Sequence, residues 1–543
     1  MGRAVRPKST PRRELRLRRL LSNGFFPNEL PPPFTTEGFA AHAVTFASAW
    51  NARNIRDKFW TTPESYSIPR FGHARRKLSI VNPVNQLAVS HLIADNWIEI
   101  RRRLRRSKTT EFKPKILLAG KTRAVSSVDF DGVARRKIEI LARFGRIVKT
   151  DIAQFYPSIY THSIAWAILG KAHCKSQYKT AAFRSSYANL LDRAVSSGQN
   201  GQTSGIPIGP DTSRILSELV ITEVEEIARI NIDDWDRRTV RYVDDMIIGL
   251  AETEAPADAL SGLATALYEF ELELNASKTM TLGLRAPHAP EWNHYISTFQ
   301  LSDRLAKQRS DLDSYFEQVL FLQDNNYTDS VLLFAVKRAA TFDIDDSNAA
   351  HFVRWMLYCA RRSPNCLAFV AEHLAAAART PGKASPEIER YILEQIPTKA
   401  TAVHTDELAW LLFWALEIGL TIPASALVKV VKLRSSVVAI LTMDLLQRGK
   451  INGTLDISFW RSFCNVDGLS SEMWMAAYEI TKKGWWPSRV GSGYARGHQY
   501  FGSIWNNDVE FYDIRRRAKT HTKFSFSLTA LLRTIEAGQQ DYR

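Results

Sequence analysis

Residues 239–250 read TVRYVDDMIIGL and set two adjacent carboxylates, Asp244 and Asp245, between two short apolar runs. Two such runs separated by two residues predict a β-hairpin. Aspartate is unfavourable inside strands, and a two-residue hairpin turn prefers Asn-Gly or Asp-Gly. Two carboxylates held side by side at a buried hairpin tip repel each other, which raises their pKa values unless a cation joins them. The stretch therefore predicts a hairpin whose turn, Asp244-Asp245, binds a divalent metal ion.

A further carboxylate lies at the end of a second predicted strand. The run Arg146–Thr150 has a strand pattern, Asp151 follows it directly, and two aromatic residues, Phe155 and Tyr156, come four and five positions later. An Asp at a strand end is most often a turn or capping residue, and the chain holds two other Asp-Asp pairs, at 233–234 and 345–346. These carboxylates therefore indicate a catalytic site only together with the order of the motifs around them.

The motifs around these carboxylates follow one another along the first 300 residues. They are Arg76-Lys77-Leu78-Ser-Ile, Asp151 with Phe155-Tyr156, Gly205-Ile-Pro-Ile-Gly209-Pro-Asp-Thr-Ser213, Tyr242-Val-Asp-Asp245 and Leu274-Asn-Ala-Ser-Lys278-Thr. In this order and at this spacing they resemble the fingers strand and the four palm motifs of reverse transcriptases, over about residues 35 to 300. The resemblance implies an α+β right-hand polymerase with fingers over 35–150 and, over 146–304, a palm built on a ferredoxin-like sheet.

The resemblance also implies an RNA-directed DNA polymerase, which transfers nucleotides with two Mg²⁺ ions, for which Mn²⁺ can substitute. Carboxylates at strand ends suit this chemistry because Mg²⁺ prefers hard oxygen ligands. By resemblance Asp151 and Asp244 bridge the ions, Asp245 stands beside them, and the carbonyl of Ile152 is a further ligand. The other implied roles concern the nucleotide. Arg76 clamps the triphosphate, with Lys77 as a second candidate, and Lys278 faces the β and γ phosphates or protonates the leaving pyrophosphate. Tyr156 lies beneath the sugar and favours deoxynucleotides, and Gly209 lets the backbone approach the nucleotide.

The sequence departs from most reverse transcriptases in two places. Ile206-Pro-Ile-Gly209 stands where Leu-Pro-Gln-Gly is commoner, and helical patterns, one of them at 424–433, fill residues 305–543 almost without strands. Both features resemble the abortive-infection and other defence-associated bacterial reverse transcriptases. That resemblance implies a HEAT-like helical-repeat domain over 305–543 that replaces or extends the thumb, homo-oligomers, a bacterial cytoplasmic location, and untemplated or protein-primed DNA synthesis for antiphage defence. The implied partners are dNTPs, an RNA template or associated noncoding RNA, and the DNA product.

Two other functions stay open from the sequence. One is a retron- or intron-type reverse transcriptase, which has the same palm motifs and a different RNA partner. The other is a non-catalytic RNA-binding scaffold on a retained polymerase fold. The intact set of Asp151, Asp244 and Asp245 favours the enzyme, because clustered carboxylates without a metal ion cost stability.

The positive charge of the chain is concentrated in its first quarter. Residues 1–150 hold 31 Lys and Arg against 11 Asp and Glu, whereas all 543 residues together have a net charge of +16. Such a surface is typical of a nucleic-acid partner, with an anionic membrane as the rival. Part of the charge lies in a predicted basic arm over 1–34, for which an organellar transit peptide is the alternative.

The densest basic cluster ends a helix predicted over 82–106. Like charges at helical spacing repel, so a polyanion such as nucleic acid is the expected partner of this cluster. Its members are Arg101, Arg102, Arg103, Arg105 and Arg106.

The composition is that of a folded protein without a membrane span. Hydrophobic residues make up 45% of the chain and charged residues 24%, and 14 Trp and 27 Phe supply the material of a large core. No apolar run reaches the roughly 18 residues that a transmembrane helix needs, so no membrane partner is expected. The four cysteines have no metal-ligand spacing and are expected as free thiols.

Overall fold

A four-stranded antiparallel sheet lies at the centre of the region that carries the motifs. The computed structural model describes residues 11–52, 59–120, 123–126, 129–283, 291–327, 329–377, 386–488 and 490–518. The strands are β1 (Glu64–Pro69), β2 (Arg75–Ile80), β3 (Arg146–Thr150), β4 (Thr239–Tyr242), β5 (Asp245–Leu250), β6 (Met280–Gly283), β7 (Ile422–Pro423) and β8 (Ile451–Asn452). The sheet has the order β4-β5-β3-β6, and helices connect β3 to β4 and β5 to β6, which gives the β-α-β-β-α-β connectivity of a ferredoxin-like sheet. The α+β class predicted from the sequence is confirmed.

The two faces of this sheet pack against different groups of helices. Successive residues of a strand point to opposite faces, and Ile147 and Val148 of β3 are both buried in this way. Ile147 packs with Val240 and with Ile140 of the helix Phe130–Arg143, whereas Val148 belongs to the main core of the chain. The central strand therefore forms as predicted because both of its faces are covered.

The helices that precede residue 300 vary widely in length. They surround the sheet and the hairpin of β1 and β2. Their bounds are Pro11–Ser22, Glu37–Ala41, Ala43–Ala49, Pro83–Asp95, Trp97–Leu104, Phe130–Arg143, Phe155–Ser158, Thr161–Leu169, Lys171–Gln177, Ala181–Ser185, Tyr187–Ser197, Asp211–Asn231, Trp235–Arg238, Pro256–Tyr268 and Glu291–Thr298.

The single helix predicted over 82–106 is in fact two helices, Pro83–Asp95 and Trp97–Leu104. Asn96 separates them, and its side-chain amide donates to the carbonyl of Leu92 at 2.8 Å. Asparagine competes with helices in this way, because its side chain bonds the local backbone. The first helix is buried almost throughout, and the basic cluster begins on the second.

Apart from the two-residue strands β7 and β8, the regular elements described after residue 300 are helices, as the sequence predicts. The segment 424–433, expected as a helix, instead forms two 3₁₀ turns, Ala424–Leu427 and Val430–Lys432, where β-branched valines lower helix propensity. No helix in the described parts of the chain is both long enough and apolar enough to cross a membrane. The α-helices here are Leu305–Asn325, Val331–Ala339, Ala349–Arg362, Leu367–Ala377, Pro386–Lys399, Thr405–Ile418, Ser436–Gln447, Ser458–Arg461, Trp474–Lys482, Gly493–Arg496 and Phe501–Asn506.

The basic segment at the N-terminus is part of the folded body, at least from residue 11 onward. Leu17, Leu20 and Leu21 of the helix Pro11–Ser22 are buried in the main core. Arg19 is buried too, and its guanidinium donates to the carbonyls of Leu117 at 2.9 Å and Gly120 at 2.8 Å. The prediction of a separate arm over 1–34 is therefore wrong for residues 11–34, and residues 1–10 lie outside the described part.

Helices from the C-terminal half pack directly on the β1–β2 hairpin. The hydroxyl of Tyr66 donates to Asp406 at 2.9 Å, and Arg75 forms a bidentate ion pair with Glu407 at 2.8 and 2.6 Å. Ser435 donates to the buried carboxyl of Glu64 at 2.6 Å. One continuous core joins the two halves of the chain.

Candidate active site

The strand register shows that the predicted carboxylates lie near the same end of the two central strands, β3 and β5. Thr150 of β3 pairs with Met246 of β5, so Asp151 continues the register opposite Asp245. Tyr242 pairs with Asp245, which makes Asp245 the first residue of β5. The turn of the hairpin is therefore Val243-Asp244, and the prediction of an Asp244-Asp245 turn is wrong by one residue.

The turn that carries Asp244 holds its backbone in an unfavourable conformation. Val243 has a φ of +52°, in the left-handed region that a β-branched residue seldom adopts. Such outliers cost about 1–3 kcal/mol and persist only where the surrounding structure imposes them. This arrangement places Asp244 at the tip and Asp245 in the strand.

Asp244 is a buried carboxyl whose interactions with a backbone N–H and with the charge of Lys278 do not outweigh its burial. Only 4% of its surface is exposed, and its Oδ1 atom has no hydrogen-bond partner among the described residues. Burial raises its pKa from the ordinary 3.8 to about 8, and the charges of Asp245 and Asp151 add to the effect. Burial and the two neighbouring carboxylates therefore favour the protonated form of Asp244 unless a cation lies beside it.

Lys278 provides a positive charge beside one of these carboxylates, Asp151. Its ammonium group lies 2.5 Å from Asp151 Oδ2, and Lys278 remains about half exposed while Asp151 is buried. The backbone N–H of Asn275 donates to the carbonyl of Asp151 at 2.8 Å, which fixes the loop that carries Lys278. Among the residues that the structure describes, no three Asp, Glu, His or Cys side chains are gathered closely enough to enclose an ion. The three carboxylates interact through their charges but are not yet arranged around one point.

Ile152 is held beside Asp151 by a short backbone pairing. It faces Leu274 in an isolated antiparallel bridge. The two hydrogen bonds around this bridge use the carbonyl of Asp151 and the N–H of Ala153, the latter donating to Glu273 at 2.9 Å. The bridge therefore holds Ile152 beside Asp151 without consuming its carbonyl oxygen.

The loop 205–210 forms backbone hydrogen bonds both to the segment after Asp151 and to β2. The N–H of Ile206 donates to the carbonyl of Tyr156 at 3.0 Å, and the N–H of Ser79 in β2 donates to the carbonyl of Ile208 at 2.7 Å. Gly209 has a φ of +131°, and a Cβ atom there would lie 2.9 Å from Pro27 Cγ. Glycine is required at this position both for the backbone angle and for the close approach.

Tyr156, expected beneath a nucleotide sugar, is packed into the body of the protein. It is 3% exposed and its ring lies 5.4 Å from that of Phe155 in an edge-on arrangement. The short helix that carries both rings begins after Gln154, which has a positive φ of +45°. The ring is therefore held rigidly one short turn beyond Asp151.

Arg76 and Lys77 lie on opposite faces of β2. Arg76 pairs with Ile68 of β1 and Lys77 with Ser67, and neighbouring strand residues point in opposite directions. Arg76 is partly buried whereas Lys77 is exposed. Only one of the two can face the loop 205–210, so they cannot both bind the same phosphate group.

Several arginines of the basic cluster have carboxylate partners within the chain. The ion pairs are Arg102–Glu99 at 2.7 Å, Arg103–Glu99 at 3.2 Å, Arg106–Glu223 at 2.6 Å and Arg106–Glu226 at 2.6 Å. The argument that repulsion within the cluster requires a polyanion is therefore wrong for these three. Arg101 and Arg105 have no ion pair in the described chain and keep the expectation of a nucleic-acid contact.

Arg241, a residue of β4, anchors the hairpin through its side chain, a role that the sequence did not predict. This fully buried guanidinium contacts Glu218 and Glu225 at 2.5 Å each and donates to the carbonyl of Val243 at 2.8 Å. Burial alone lowers its pKa, but the charges of Glu218 and Glu225 outweigh burial and raise it. A cation inside an apolar strand was the available signal, but its partners are 16 and 23 residues away.

Arg123 and Asp211 brace the loop 205–210 in a similar way. Arg123 contacts Asp211 at 2.7 Å and donates to the carbonyl of Gly209 at 2.6 Å, while the N–H of Val125 donates to Asp211 at 2.9 Å. Asp211 is completely buried. Nothing in the local sequence of either residue indicates this pairing.

Comparisons with known proteins give only distant likenesses. No protein-family model matches the chain, and no curated protein matches it. The similar solved structures include apo telomerase from Candida tropicalis, which is 10% identical over 68% of this chain and 72% of that chain, with a TM-score of 0.30. Telomerase from Candida albicans in complex with a TWJ fragment of telomeric RNA is 9% identical over 69% of each chain, with a TM-score of 0.28. No inference about function rests on likenesses of this size.

Proposed function

We propose that this chain is an RNA-directed DNA polymerase of the reverse-transcriptase type, which adds deoxynucleotides to a 3′-hydroxyl by metal-dependent nucleotidyl transfer. The observation that carries the proposal is the register of β3 against β5. Thr150 lies opposite Met246, so Asp151 and Asp245 flank the last pair of that register, and Asp245 adjoins the buried Asp244, whose Oδ1 atom lacks a hydrogen-bond partner among the described residues. The order of the surrounding motifs supports the same reading.

The donor types of these residues suit a divalent metal ion, although the described carboxylates are not gathered around one point. Their donors are carboxylate and carbonyl oxygens, which Mg²⁺ prefers, and Asp244 Oδ1 lacks any other partner in the described structure. Asp151, Asp244, Asp245 and the carbonyl of Ile152 would hold two Mg²⁺ ions, or Mn²⁺ in their place. Bound there, the ions supply Lewis-acid stabilisation of the attacking and leaving oxygens of the transfer.

The chain's own residues then bind and orient the nucleotide. Lys278, half exposed and paired with Asp151, is free to exchange that carboxylate for a phosphate when a nucleotide arrives. Arg76 pairs with the triphosphate through its guanidinium fork. Tyr156, fixed against Phe155, excludes a 2′-hydroxyl, and Gly209 keeps the loop backbone close to the base pair.

The test is incorporation of labelled dNTPs with Mg²⁺, with and without added RNA and a DNA primer, read on a denaturing gel. Asp244→Asn should abolish incorporation. Asp233→Asn changes an exposed residue of another Asp-Asp pair and is the matched control. A wild-type chain that incorporates nothing, or an Asp244→Asn chain as active as the control, would refute the polymerase.

The non-catalytic RNA-binding scaffold is the weaker alternative. A scaffold has no use for an uncompensated buried carboxyl whose pKa is raised to about 8, because such a group destabilises the fold. A retron- or intron-type enzyme would give the same site, and it is distinguished by strict dependence of incorporation on one structured RNA.

Antiphage defence is the biological role that we infer, from the sequence resemblance to the defence-associated enzymes. Plating of phage on bacteria that carry the wild type or Asp244→Asn tests it. Protection by the wild type alone supports the role, and equal plating on both overturns it.

The C-terminal half is proposed as a HEAT-like helical repeat that serves oligomer assembly. Successive helices pack side by side: Thr405–Ile418 contacts Leu367–Ala377, Pro386–Lys399 and Ser436–Gln447. Light scattering of the purified chain tests assembly, since a strict monomer at micromolar concentration contradicts it.

Priming by a hydroxyl of the protein itself is a further part of the proposal. Tyr494 and Tyr500 are poor candidates, because the hydroxyl of Tyr494 donates to the carbonyl of Ala477 and Tyr500 is 5% exposed. Label that stays with the denatured protein and is released by protease supports protein priming. Label found only in free DNA removes it.

A further inference from the structure

A cavity of about 540 Å³ opens among three helices that precede the loop 205–210 in the chain. The helices are Thr161–Leu169, Lys171–Gln177 and Tyr187–Ser197. None of the three carboxylates at the end of the sheet is part of its lining in the described structure. The volume lies within the range of small-ligand sites, roughly 300–1,000 Å³.

One buried carboxylate in the lining of this cavity lacks half of its hydrogen bonds. Asp192 is 4% exposed, and its Oδ2 atom is bonded to Nδ1 of His162. Its Oδ1 atom has no partner among the described residues. A buried carboxylate oxygen left unpaired costs free energy, and Asp192 borders the cavity, so a ligand N–H group that reaches this oxygen would stabilise the protein.

Aromatic rings form much of the remaining wall. Trp60 and Tyr178 are 54% and 55% exposed, and Trp166 and Phe183 are partly buried in the same lining. Trp60 lies tightly over Gly201, where a Cβ atom would come within 2.6 Å of its ring. Gly201 thus fixes a large, half-exposed indole at the cavity, which is an arrangement suited to stacking a planar ligand.

Two cations complete the lining. Lys175 and Arg193 are both exposed and both border the cavity. Guanidinium and ammonium groups pair with phosphate. A ligand that satisfies the whole lining therefore has a planar ring, an N–H donor on its edge and an anionic group.

We propose that this cavity is a second nucleotide site, separate from the transfer site, in which a base packs against Trp60, donates an N–H group to Asp192 Oδ1, and directs its phosphate to Lys175 and Arg193. The nucleotide is either free or the terminal residue of a single strand, since both offer the same groups. The binding needs no metal ion and no transfer chemistry, so it stands or falls separately from the polymerase.

Equilibrium dialysis of the full chain against labelled AMP, in EDTA, tests the site, with a fluorescein-labelled single-stranded dA hexamer as the second probe. We expect saturable binding of at least one probe, with ribose 5-phosphate unable to compete. AMP binding identifies a free-nucleotide site, and binding of the hexamer alone identifies a strand-end site. Asp192→Asn and Trp60→Ala should each weaken binding about tenfold, in keeping with the loss of one stacking or buried hydrogen-bond contact.

The controls separate this site from nonspecific effects and from the transfer site. Phe321→Ala removes an aromatic ring that is 62% exposed on another helix, and it should keep full affinity. Asp244→Asn should also keep it. Thermal unfolding checks each variant, and Trp60→Ala decides the matter if Asp192→Asn does not fold. Absence of saturable binding for both probes, or unchanged affinity in folded Trp60→Ala, overturns the proposal.

Discussion

Asp244 is the residue whose surroundings are hardest to explain without a cation. Its carboxyl is buried next to two others, and its backbone follows a valine in the left-handed conformation. The nearest ammonium group, that of Lys278, bonds Asp151 instead. The repulsion among these carboxyls is relieved either by a proton on Asp244 or by a bound cation.

The raised pKa of Asp244 makes stability depend on pH in a predictable direction. The unfolded chain releases this proton near the ordinary 3.8, whereas the folded chain holds it up to about 8. Between these values the unfolded state binds fewer protons, so the contribution of Asp244 to folding stability falls as pH rises. In EDTA, Asp244→Asn should gain thermal stability relative to wild type from pH 5 to pH 8, and Mg²⁺ at pH 8 should raise the midpoint of the wild type only. Parallel melting curves for the two proteins would contradict the electrostatic assignment.

Lys278 is predicted to act on the nucleotide as well as on the buried Asp151. Because Lys278→Met removes the ammonium partner of that carboxylate, its thermal midpoint should fall, and incorporation is compared at a temperature where both variants are folded. Incorporation should fall by about 10²-fold, the lower end of what a positioned proton donor contributes. Lys307→Met, at an exposed lysine paired with Asp311, is the control in the same steady-state assay. Equal rates for the two variants would remove Lys278 from the site.

At the scale of elements, the hairpin β4–β5 is held by a buried ion network. Arg241 links the turn to two glutamates of the helix Asp211–Asn231. Removing one partner of a buried ion pair leaves an uncompensated charge, which costs about 3–5 kcal/mol. An exposed pair of the same type contributes about 0–1 kcal/mol.

Arg241→Met should therefore unfold at a clearly lower urea concentration than wild type and lose incorporation with it. Arg361→Met, which breaks a half-exposed pair with Glu394, should shift the midpoint little. The measurement is urea unfolding followed by circular dichroism. A midpoint for Arg241→Met equal to that of Arg361→Met would show that the network is not what holds the hairpin.

The sequence predicted elements where local pattern and burial agree. β3 has the predicted ends, because its apolar spacing matches its surroundings. The hairpin turn was misplaced by one residue because Val243 adopts a conformation that its side chain disfavours. The partners of Arg241 and Asp211 could not be foreseen, since folding brings them together from distant positions.

At the scale of the whole molecule, charge alone misled the prediction of the N-terminal arm. The segment 11–22 is strongly basic, yet Leu17, Leu20 and Leu21 enter the core. Arg19 donates to carbonyls about 100 residues away. Composition records how much charge a segment has but not which side chains are buried. Strand register, in contrast, does fix which residues are neighbours across a sheet.

The two halves of the chain should not fold independently. Tyr66 is fully buried and bonded to Asp406, and Arg75 is paired with Glu407 across the same contact. Residues 1–304 expressed alone would expose this face of β1 and β2, so we expect aggregation or loss of cooperative unfolding. Size-exclusion chromatography and calorimetry check this. A monomeric fragment with a sharp transition would show that the helical half is dispensable for the fold.

The most direct test of the central claim compares labelled dNTP incorporation by wild type, Asp151→Asn and Asp233→Asn in the presence of Mg²⁺. Asp151 lies at the end of β3, opposite Asp245 in the register, whereas Asp233 belongs to an exposed pair of the same composition. The account predicts product from wild type and Asp233→Asn and none above background from folded Asp151→Asn. Product from Asp151→Asn at the wild-type level would contradict it.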